Sequence, residues 1–220
     1  GNTNSLVAKY DPCGSLIWAA RATAMQDNKG NAITLDENSN MVYITGEMSD
    51  YIELHSAQST VVPTGTNSIL LPSVALKGYV AQFDMTNGAL YFVEEVSVPI
   101  QTGMESFTEC RAITVDETNG DIYVGGRRCD AAYNGSAGTP KSGYFVYKYS
   151  PSVLGGTTNT LGSPVWTEYY PQYFYDQIND MDFDEVHNRV WFTGKFHKAV
   201  YHNTGGITGF NHDAFIGAFN

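Results

Sequence analysis

Charge is scarce in this sequence, and basic residues are the scarcest part of it. Charged side chains make up 16% of the 220 residues, 12 basic and 23 acidic, for a net charge of −11. Proteins that bind nucleic acid or an anionic membrane surface present a basic face, which this composition does not favour. No apolar run reaches the roughly 20 residues that a membrane-spanning helix needs. We therefore expect neither a nucleic-acid partner nor membrane insertion.

Cysteine is rare as well, whereas turn formers and aromatics are plentiful. The chain has three cysteines, 22 glycines and 15 tyrosines. Few charges combined with many aromatic and turn-forming residues are typical of all-β secreted proteins, so we expect an extracellular or cell-surface location. The sequence shows no initiator Met, signal peptide or anchor motif, which we interpret as a mature product or a fragment.

One pattern occurs three times along the chain. A short alternating strand ends in Asp, a polar turn follows, and a second strand ends in Gly. The copies are Ala32–Gly46, Ala112–Gly126 and Asp180–Gly194. A second landmark, an aromatic residue at the end of a strand, recurs at Tyr10, Phe83, Tyr149 and Phe219, at intervals of 73, 66 and 70 residues. Repeats of this length built from short strands indicate a β-propeller or a similar array.

The repeat predicts an all-β fold of four-stranded antiparallel blades in an incomplete ring of about three repeats. Residues 1–31 form a half blade, 32–93 and 112–169 form complete blades, and 179–220 form a partial blade. Propellers close with four or more blades, and open strand edges tend to aggregate. We therefore expect neighbouring subunits, or further blades of the same polypeptide, to cover the open ends.

The longest loops should follow the second strand of each unit and lie on one face, where binding is usually found. These loops are Glu47–Lys77, Arg127–Gly143 and Lys195–Asp213. The second of them contains Asn134-Gly135-Ser136, an N-glycosylation sequon in a Gly- and Ser-rich setting. We predict that Asn134 carries a glycan if the source is a secretory eukaryote.

The cysteines suggest one disulfide. If the strands on either side of the Glu117–Gly120 turn pair so that Asp116 opposes Asp121, then Cys110 opposes Arg127 and Cys129 is its diagonal neighbour. A Cys110–Cys129 bond is therefore feasible. Cys13 lies in a turn that should be at the opposite end of its blade, so its partner is elsewhere or absent.

Two groups of residues are candidate ligand sites. An aromatic run could stack on sugar rings or anchor a protein partner, although aromatics also pack between blades. It comprises Tyr169, Tyr170, Tyr173, Phe174 and Tyr175. Asp180 and Asp182 alternate along a strand and share one face, with Asp176 nearby, so they could bind Ca²⁺ through carboxylate oxygens. The alternative is that they line a wet central channel.

The sequence gives little support for catalysis. It contains no Gly-x-Ser-x-Gly elbow, no phosphate-binding glycine loop and no His-Glu-x-x-His zinc motif. Three of the five histidines lie in the Lys195–Asp213 loop, without ligand spacing. Glu94, Glu95 and Glu105 could include a glycosidase pair, but exposed loop acids are the better interpretation because no separation can be inferred. We expect a non-enzymatic protein without a cofactor.

Several segments together resemble the SBBP-type β-propeller repeat family. That family's unit combines a DAFVAKYD-like strand, a GxLxW turn and strand, and strands of the GIAVD and VYVTG kind. The matching segments are Asp213–Asn220, Val7–Asp11, Gly14–Trp18, Ala32–Asp36 and Val42–Gly46. The third unit departs most, since Asp180 and Asp182 replace Ala and Thr. The resemblance implies a propeller, often within large extracellular proteins, and no catalytic residues.

The leading functional hypothesis is a non-enzymatic structural or adhesive protein, within a polymer or a surface assembly. The alternative is a carbohydrate-binding propeller module that uses the aromatic loop. A third class, a propeller hydrolase or lyase, would require acids or histidines that converge around the axis.

Overall fold

A computed structural model describes residues 4–23, 27–49, 51–57, 66–70, 76–96, 106–130, 141–150, 161–172, 176–202 and 205–219. Within these ranges the protein is all β, without helix. The described strands are β1 Leu6–Tyr10, β2 Leu16–Thr23, β3 Asn28–Asp36, β4 Met41–Met48, β5 Tyr51–Ala57, β6 Thr66–Leu70, β7 Lys77–Asp84, β8 Leu90–Glu95, β9 Ser106–Asp116, β10 Asp121–Asp130, β11 Lys141–Tyr149, β12 Trp166–Gln172, β13 Gln177–Asp184, β14 Arg189–His202 and β15 Gly205–Phe219.

These strands form four antiparallel sheets, which we call blades 1 to 4. Blade 1 has the order β1-β2-β5-β6 and blade 2 the order β3-β4-β7-β8. Blade 3 runs β9-β10-β11-β12, and blade 4 has three described strands, β13-β14-β15. The all-β, blade-like architecture expected from the repeat is confirmed, and the described residues form no closed ring.

Neighbouring blades pack face to face in chain order. One hydrophobic core fills each of the three gaps, between blades 1 and 2, 2 and 3, and 3 and 4. The first strands of blades 2, 3 and 4 also lie beside one another across the stack. We call the side of a blade that is turned toward the preceding blade its front face, and the other side its back face.

A five-residue pattern in the third strand of each unit sets this packing. The copies are Leu6–Tyr10, Tyr79–Phe83, Phe145–Tyr149 and Phe215–Phe219, which are aligned by their final aromatic residues. Side chains alternate between the two faces of a strand, so the first, third and fifth residues point to the front. The second residue points to the back. In blades 2 and 3 the front residues are almost fully buried against the preceding blade.

A bulge recurs in the pairing of the first and second strands of blades 2, 3 and 4. The bulge brings a first-strand carbonyl against the glycine that ends each repeated pattern. A Cβ on Gly46 would lie 1.8 Å from the Lys29 carbonyl oxygen, and one on Gly126 would lie 1.9 Å from that of Glu109. This close approach explains why glycine recurs at this position, since any side chain would collide with the backbone.

The polar turns behave as the repeat predicts. Asp36 Oδ1 accepts a hydrogen bond from the Ser39 amide at 2.9 Å, and Asp116 Oδ1 accepts one from the Thr118 amide at 2.9 Å. The residue that closes the turn has a left-handed backbone in each copy: φ is 57° at Asn40, 72° at Gly120 and 53° at Asn188. Asn and Gly tolerate this conformation better than other residues.

All three predicted long loops contain strand residues: the ends of Arg127–Gly143 belong to β10 and β11, and the other two loops differ more from the prediction. Part of Glu47–Lys77 forms β5 and β6, and β5 pairs with the outer edge of β2. This hairpin therefore leaves blade 2 and extends blade 1, where Ile52 and Leu54 are buried in the shared core. Lys195–Asp213 likewise extends the β14–β15 hairpin, whose register continues to His202↔Gly205. In both cases backbone pairing satisfies donors and acceptors that an open loop would leave to water.

The described residues contain no helix that is both long and apolar enough to cross a membrane.

Candidate functional site

The front face of blade 1 is the first of two exposed apolar surfaces in the stack. Leu6 is 70% exposed and Tyr10 is 58% exposed. Their register counterparts in blade 3, Phe145 and Tyr149, are buried against blade 2. Neighbouring β2 adds Leu16, the register partner of Tyr10, to this surface, 56% exposed. The sequence of blade 1 thus carries a blade-packing face that no described blade covers.

The back face of blade 4 is the second exposed surface. Ile216 is 72% exposed, whereas its counterparts on the back of the other blades are buried: Val7, Val80 and Val146. Trp191 is 39% exposed, and its counterparts Tyr43 and Tyr123 are buried. The two ends of the stack therefore expose the two complementary halves of one repeated interface.

The inner part of blade 2 is also uncovered at the front. Ile33 is 56% exposed and Leu35 is 42% exposed, whereas the equivalent Ile113 and Val115 of blade 3 are each 5% exposed. Blade 1 has no described counterpart of the first and second strands, so nothing described lies over these residues. A cleft of about 320 Å³ marks the gap, between the edge of β1 and the start of β3.

A cavity of about 430 Å³ lies between blades 3 and 4, at the end with the short turns. Three of its eight lining residues are aromatic, and two of these, Trp166 and Phe219, meet edge to face with ring centroids 5.1 Å apart. The lining residues are Tyr123, Lys148, Ser150, Val165, Trp166, Asn188, Val190 and Phe219.

Lys148 is the cationic group of this cavity. Its Nζ lies 2.6 Å from Asp121 Oδ2 and 5.4 Å from the centroid of the Tyr123 ring. Ser150 Oγ donates a hydrogen bond to Asp121 Oδ1. Partial burial opposes the charged form, but the hydrogen bonds with Asp121 and Tyr123 prevail, and the pKa of Lys148 is raised. The lysine therefore stays charged across the physiological pH range.

The predicted Cys110–Cys129 disulfide is wrong in this structure. Both residues are buried thiols. The bulge at Gly125/Gly126 shifts the register, so that Cys110 opposes Gly126 and Cys129 opposes Phe107. The two side chains then fall on opposite faces of blade 3, which places the sulfurs out of bonding reach. Burial raises the pKa of the Cys110 thiol, and it is therefore not an activated nucleophile.

The candidate calcium residues share a face as expected. Asp180 and Asp182 are exposed on the back of blade 4, and each Oδ1 accepts a hydrogen bond from the next backbone amide, at 3.0 and 3.1 Å. Asp176 is fully buried and Asp184 pairs with His187, so neither extends the pair. Within the described residues no group of three or more His, Cys, Asp or Glu side chains could hold a metal ion.

The aromatic run is only partly described. Tyr169 and Tyr170 belong to β12, where they pair with Phe145 and Tyr144. Tyr173, Phe174 and Tyr175 lie outside the described residues, as do Asn134 and Glu105. Of the other candidate acids, Glu95 forms an ion pair with Lys77 at 3.0 Å. Glu95 is only 23% exposed at the side chain, and Lys77 is its ion-pair partner.

Sequence reasoning missed the residues that distinguish the open surfaces. No face was predicted for Leu6 or Ile216 from the sequence, although the shared five-residue pattern assigns them one. The pair of Lys148 and Trp166 was also overlooked. This pair could have been found from the sequence, because Lys9 and Trp18 occupy the corresponding positions in the first unit.

No known protein family matches this chain, and no curated protein is significantly similar to it. The resemblance to the SBBP-type repeat therefore stays a prediction.

Proposed function

We propose that this chain is a non-enzymatic structural module of an extracellular or surface assembly, and that its two open blade faces associate head to tail. The observation that supports this proposal is the register comparison. Leu6 and Ile216 occupy positions that are buried at the interfaces between described blades, yet they are 70% and 72% exposed. A back face of blade 4 placed against a front face of blade 1 would repeat the packing found three times within the chain.

Burial of apolar side chains would drive this contact. Burying an aliphatic side chain of this size stabilises a contact by about 1.5–3 kcal/mol, and each face offers several. Arg21 is exposed on the front of blade 1, and Asp180 and Asp182 are exposed on the back of blade 4. Arg189 and Lys195 lie on that same back face, so charge alone does not orient the contact, and the register of the apolar residues on the two faces does.

Head-to-tail association is a heterologous contact, which forms rings or open filaments. Sedimentation velocity over a range of concentrations tests it. The wild-type chain should form oligomers, and Leu6→Glu or Ile216→Glu should each prevent growth beyond the monomer. Val186→Glu is the matched control, because Val186 is an apolar residue, 86% exposed, in a turn rather than on a blade face.

A mixture of the two blocked variants gives the sharpest result. The Leu6→Glu chain keeps an intact back face on blade 4, and the Ile216→Glu chain keeps an intact front face on blade 1. We expect the mixture to form a one-to-one dimer and nothing larger, because the single productive contact uses both good faces. A wild-type chain that stays monomeric at high concentration would contradict the proposal, as would single variants that still form large oligomers.

A further inference from the structure

A lysine and a tryptophan at the contact between blades 1 and 2 bind a backbone carbonyl. Lys9 and Trp18 are cross-strand neighbours on the back of blade 1. Lys9 Nζ and Trp18 Nε1 both donate hydrogen bonds to the carbonyl oxygen of Met85, at 2.9 and 3.0 Å. Met85 lies in the turn that follows β7, so the pair binds an amide carbonyl of the neighbouring blade.

The same turn places a small group against the indole ring. A Cβ on Gly88 would lie 2.6 Å from Cδ2 of Trp18, so only a group as small as the glycine CH₂ fits there. Phe83, at the end of β7, stacks on Trp18 with ring centroids 6.2 Å apart. The Lys–Trp pair of blade 1 therefore recognises an amide carbonyl together with a small apolar group.

Blade 3 carries the same pair on the side that faces blade 4. Lys148 and Trp166 are cross-strand neighbours in the same way. The ring of Trp166 meets Phe219, as the ring of Trp18 meets Phe83. Both members of the pair line the cavity of about 430 Å³. The cavity is therefore lined by the two residue types that bind an amide carbonyl elsewhere in this chain.

The charges around the cavity favour a neutral ligand. Lys148 Nζ lies 2.6 Å from Asp121 Oδ2. An ammonium group has three N–H donors, so Lys148 can hold Asp121 and a ligand oxygen at the same time. A ligand carboxylate would be repelled by Asp121 and by the net charge of −11. An amide carbonyl accepts the same hydrogen bonds without that repulsion.

The remaining walls suit a sugar. The rings of Tyr123 and Trp166 offer apolar faces, and the side chains of Ser150 and Asn188 offer polar groups for hydroxyls. Val165 lines the cavity and is 63% exposed, so the cavity is accessible from solvent beside it. The volume lies within the range of small-molecule sites, about 300–1,000 Å³.

The contact between blades 2 and 3 shows that blade packing does not require the lysine and the tryptophan. Gln82 and Phe92 occupy the corresponding positions in register there. Gln82 Nε2 donates a hydrogen bond to Tyr43 Oη at 2.8 Å, and Phe92 is buried in the core of that contact. A Lys–Trp pair that lines a cavity therefore points to a role besides packing.

We propose that the cavity between blades 3 and 4 binds the acetamido group of an N-acetylated sugar. Lys148 Nζ and Trp166 Nε1 donate hydrogen bonds to the acetamido carbonyl oxygen. The acetamido methyl packs against the indole ring, as a glycine does between blades 1 and 2. The sugar hydroxyls bond to Ser150 and Asn188. The site uses neither of the two open blade faces, so it does not depend on head-to-tail association.

Titration with N-acetylglucosamine tests the site, and glucose is the matched sugar that lacks the amide. The full chain carries Leu6→Glu, so that self-association does not contribute. NMR follows the indole N–H of Trp166, which should shift on adding N-acetylglucosamine with a Kd of about 1 mM, as expected for a ligand of this size. Glucose should bind at least about tenfold more weakly, because it cannot make the carbonyl hydrogen bonds.

A small peptide amide separates a sugar site from a peptide site. N-acetylglycinamide presents the same acetamido group without a sugar ring. It should bind more weakly than N-acetylglucosamine, because it makes no contact with Ser150 and Asn188.

Two variants test the residues themselves, with calorimetry as the readout. Lys148→Gln/Trp166→Phe gives blade 3 the residue pair that blade 2 already accepts, so the fold should be retained, as the unfolding midpoint checks. Trp166→Phe alone keeps the ion pair of Lys148 with Asp121 and removes only the indole donor. Both should bind N-acetylglucosamine more weakly, the double variant by at least about tenfold. Trp191→Phe, which alters an exposed indole on the back of blade 4, should bind it as the parent does.

Four results would overturn the proposal. The first is the absence of N-acetylglucosamine binding, and the second is glucose binding of equal strength. The third is N-acetylglycinamide binding that is tighter than that of the sugar, since the cavity would then be a peptide site. The last is undiminished binding to both the folded double variant and Trp166→Phe.

Discussion

Two strands of this protein have the same pattern and opposite surroundings. Phe145–Tyr149 is enclosed between blades 2 and 3, whereas Leu6–Tyr10 has a blade behind it and none described in front. The residues that face front are apolar in both strands. The comparison teaches that the sequence of a blade specifies a packing face, while exposure depends on whether another blade is present. Matched positions in differently covered parts of the protein test that distinction.

Truncation of the first residue of the five-residue pattern should give the largest difference in stability between the two strands. Phe145→Ala removes a fully buried ring that stacks on Tyr147 at 4.5 Å, and should cost about 3–5 kcal/mol of unfolding free energy. Leu6→Ala should cost less than about 0.5 kcal/mol in the monomer, because Leu6 is mostly exposed. Urea unfolding at low protein concentration measures both. Equal losses would show that blade 1 is covered within the monomer.

The glycines of the two equivalent turns provide a second matched pair. Gly14 and Gly88 both have left-handed backbones, with φ of 85° and 71°. A Cβ at Gly14 meets no atom within 4 Å, whereas one at Gly88 runs into the Trp18 ring. Gly14→Ala should therefore cost about 1–2 kcal/mol from backbone strain alone. Gly88→Ala should cost at least about 1 kcal/mol more, from overpacking. Thermal unfolding that ranks the two variants the other way would contradict the described turn packing.

Ionisation of buried tyrosines should lower the stability of the fold at alkaline pH. Burial raises the pKa of Tyr43 and of Tyr79 to about 12. An unfolded tyrosine has a pKa of about 10, so the unfolded state loses protons first. Stability is complete below pH 10 and should fall by about 1.4 kcal/mol per pH unit per tyrosine between pH 10 and 12.

Tyr43→Phe should reduce this alkaline slope, because it removes one of the raised groups. The exposed counterpart provides the control, since Trp191→Phe should leave the slope unchanged. Unfolding free energies measured across that pH range decide the matter. A slope unaffected by Tyr43→Phe would mean that Tyr43 ionises normally in the folded state.

The smallest predicted effect is a change in the pKa of Asp184, which lies in an exposed turn. His187 Nδ1 lies 2.7 Å from Asp184 Oδ2, and this hydrogen bond lowers the pKa of Asp184. The interaction therefore contributes above the ordinary Asp pKa and is lost as the pH falls through the lowered value. His187→Ala should return the Asp184 pKa toward its ordinary range, as measured by carboxyl NMR titration.

Much of the fold could be predicted because strand and turn signals are local. The Ala32–Asp36 and Ala112–Asp116 strands, and the left-handed Asn40, follow from period-two alternation and turn chemistry. The β5 strand was missed although Ile52 and Leu54 alternate, because its partner β2 lies in a different blade. The disulfide prediction failed for a related reason. One bulged residue, between Cys110 and Ala112, reverses the face of the sheet on which Cys110 and the strand residues before it lie.

The candidate surfaces were harder to predict than the strands. Exposed Leu6 and buried Phe145 both read as apolar strand residues, and exposure depends on neighbours that a local pattern does not include. Lys9 and Trp18 both donate hydrogen bonds to the Met85 carbonyl, 76 and 67 residues away along the chain. Only the structure shows that this distant carbonyl is the shared acceptor.

The crossing of β5 and β6 from blade 2 into blade 1 has a consequence for synthesis on the ribosome. The hairpin of β1 and β2 is made first, but its outer edge is completed only when Tyr51–Leu70 has been translated. Elongation adds about 5–20 residues per second, so the early hairpin waits for seconds with one edge open. We infer that blades 1 and 2 fold as a single cooperative unit, and that a nascent chain stalled before Tyr51 would be the species most in need of a chaperone.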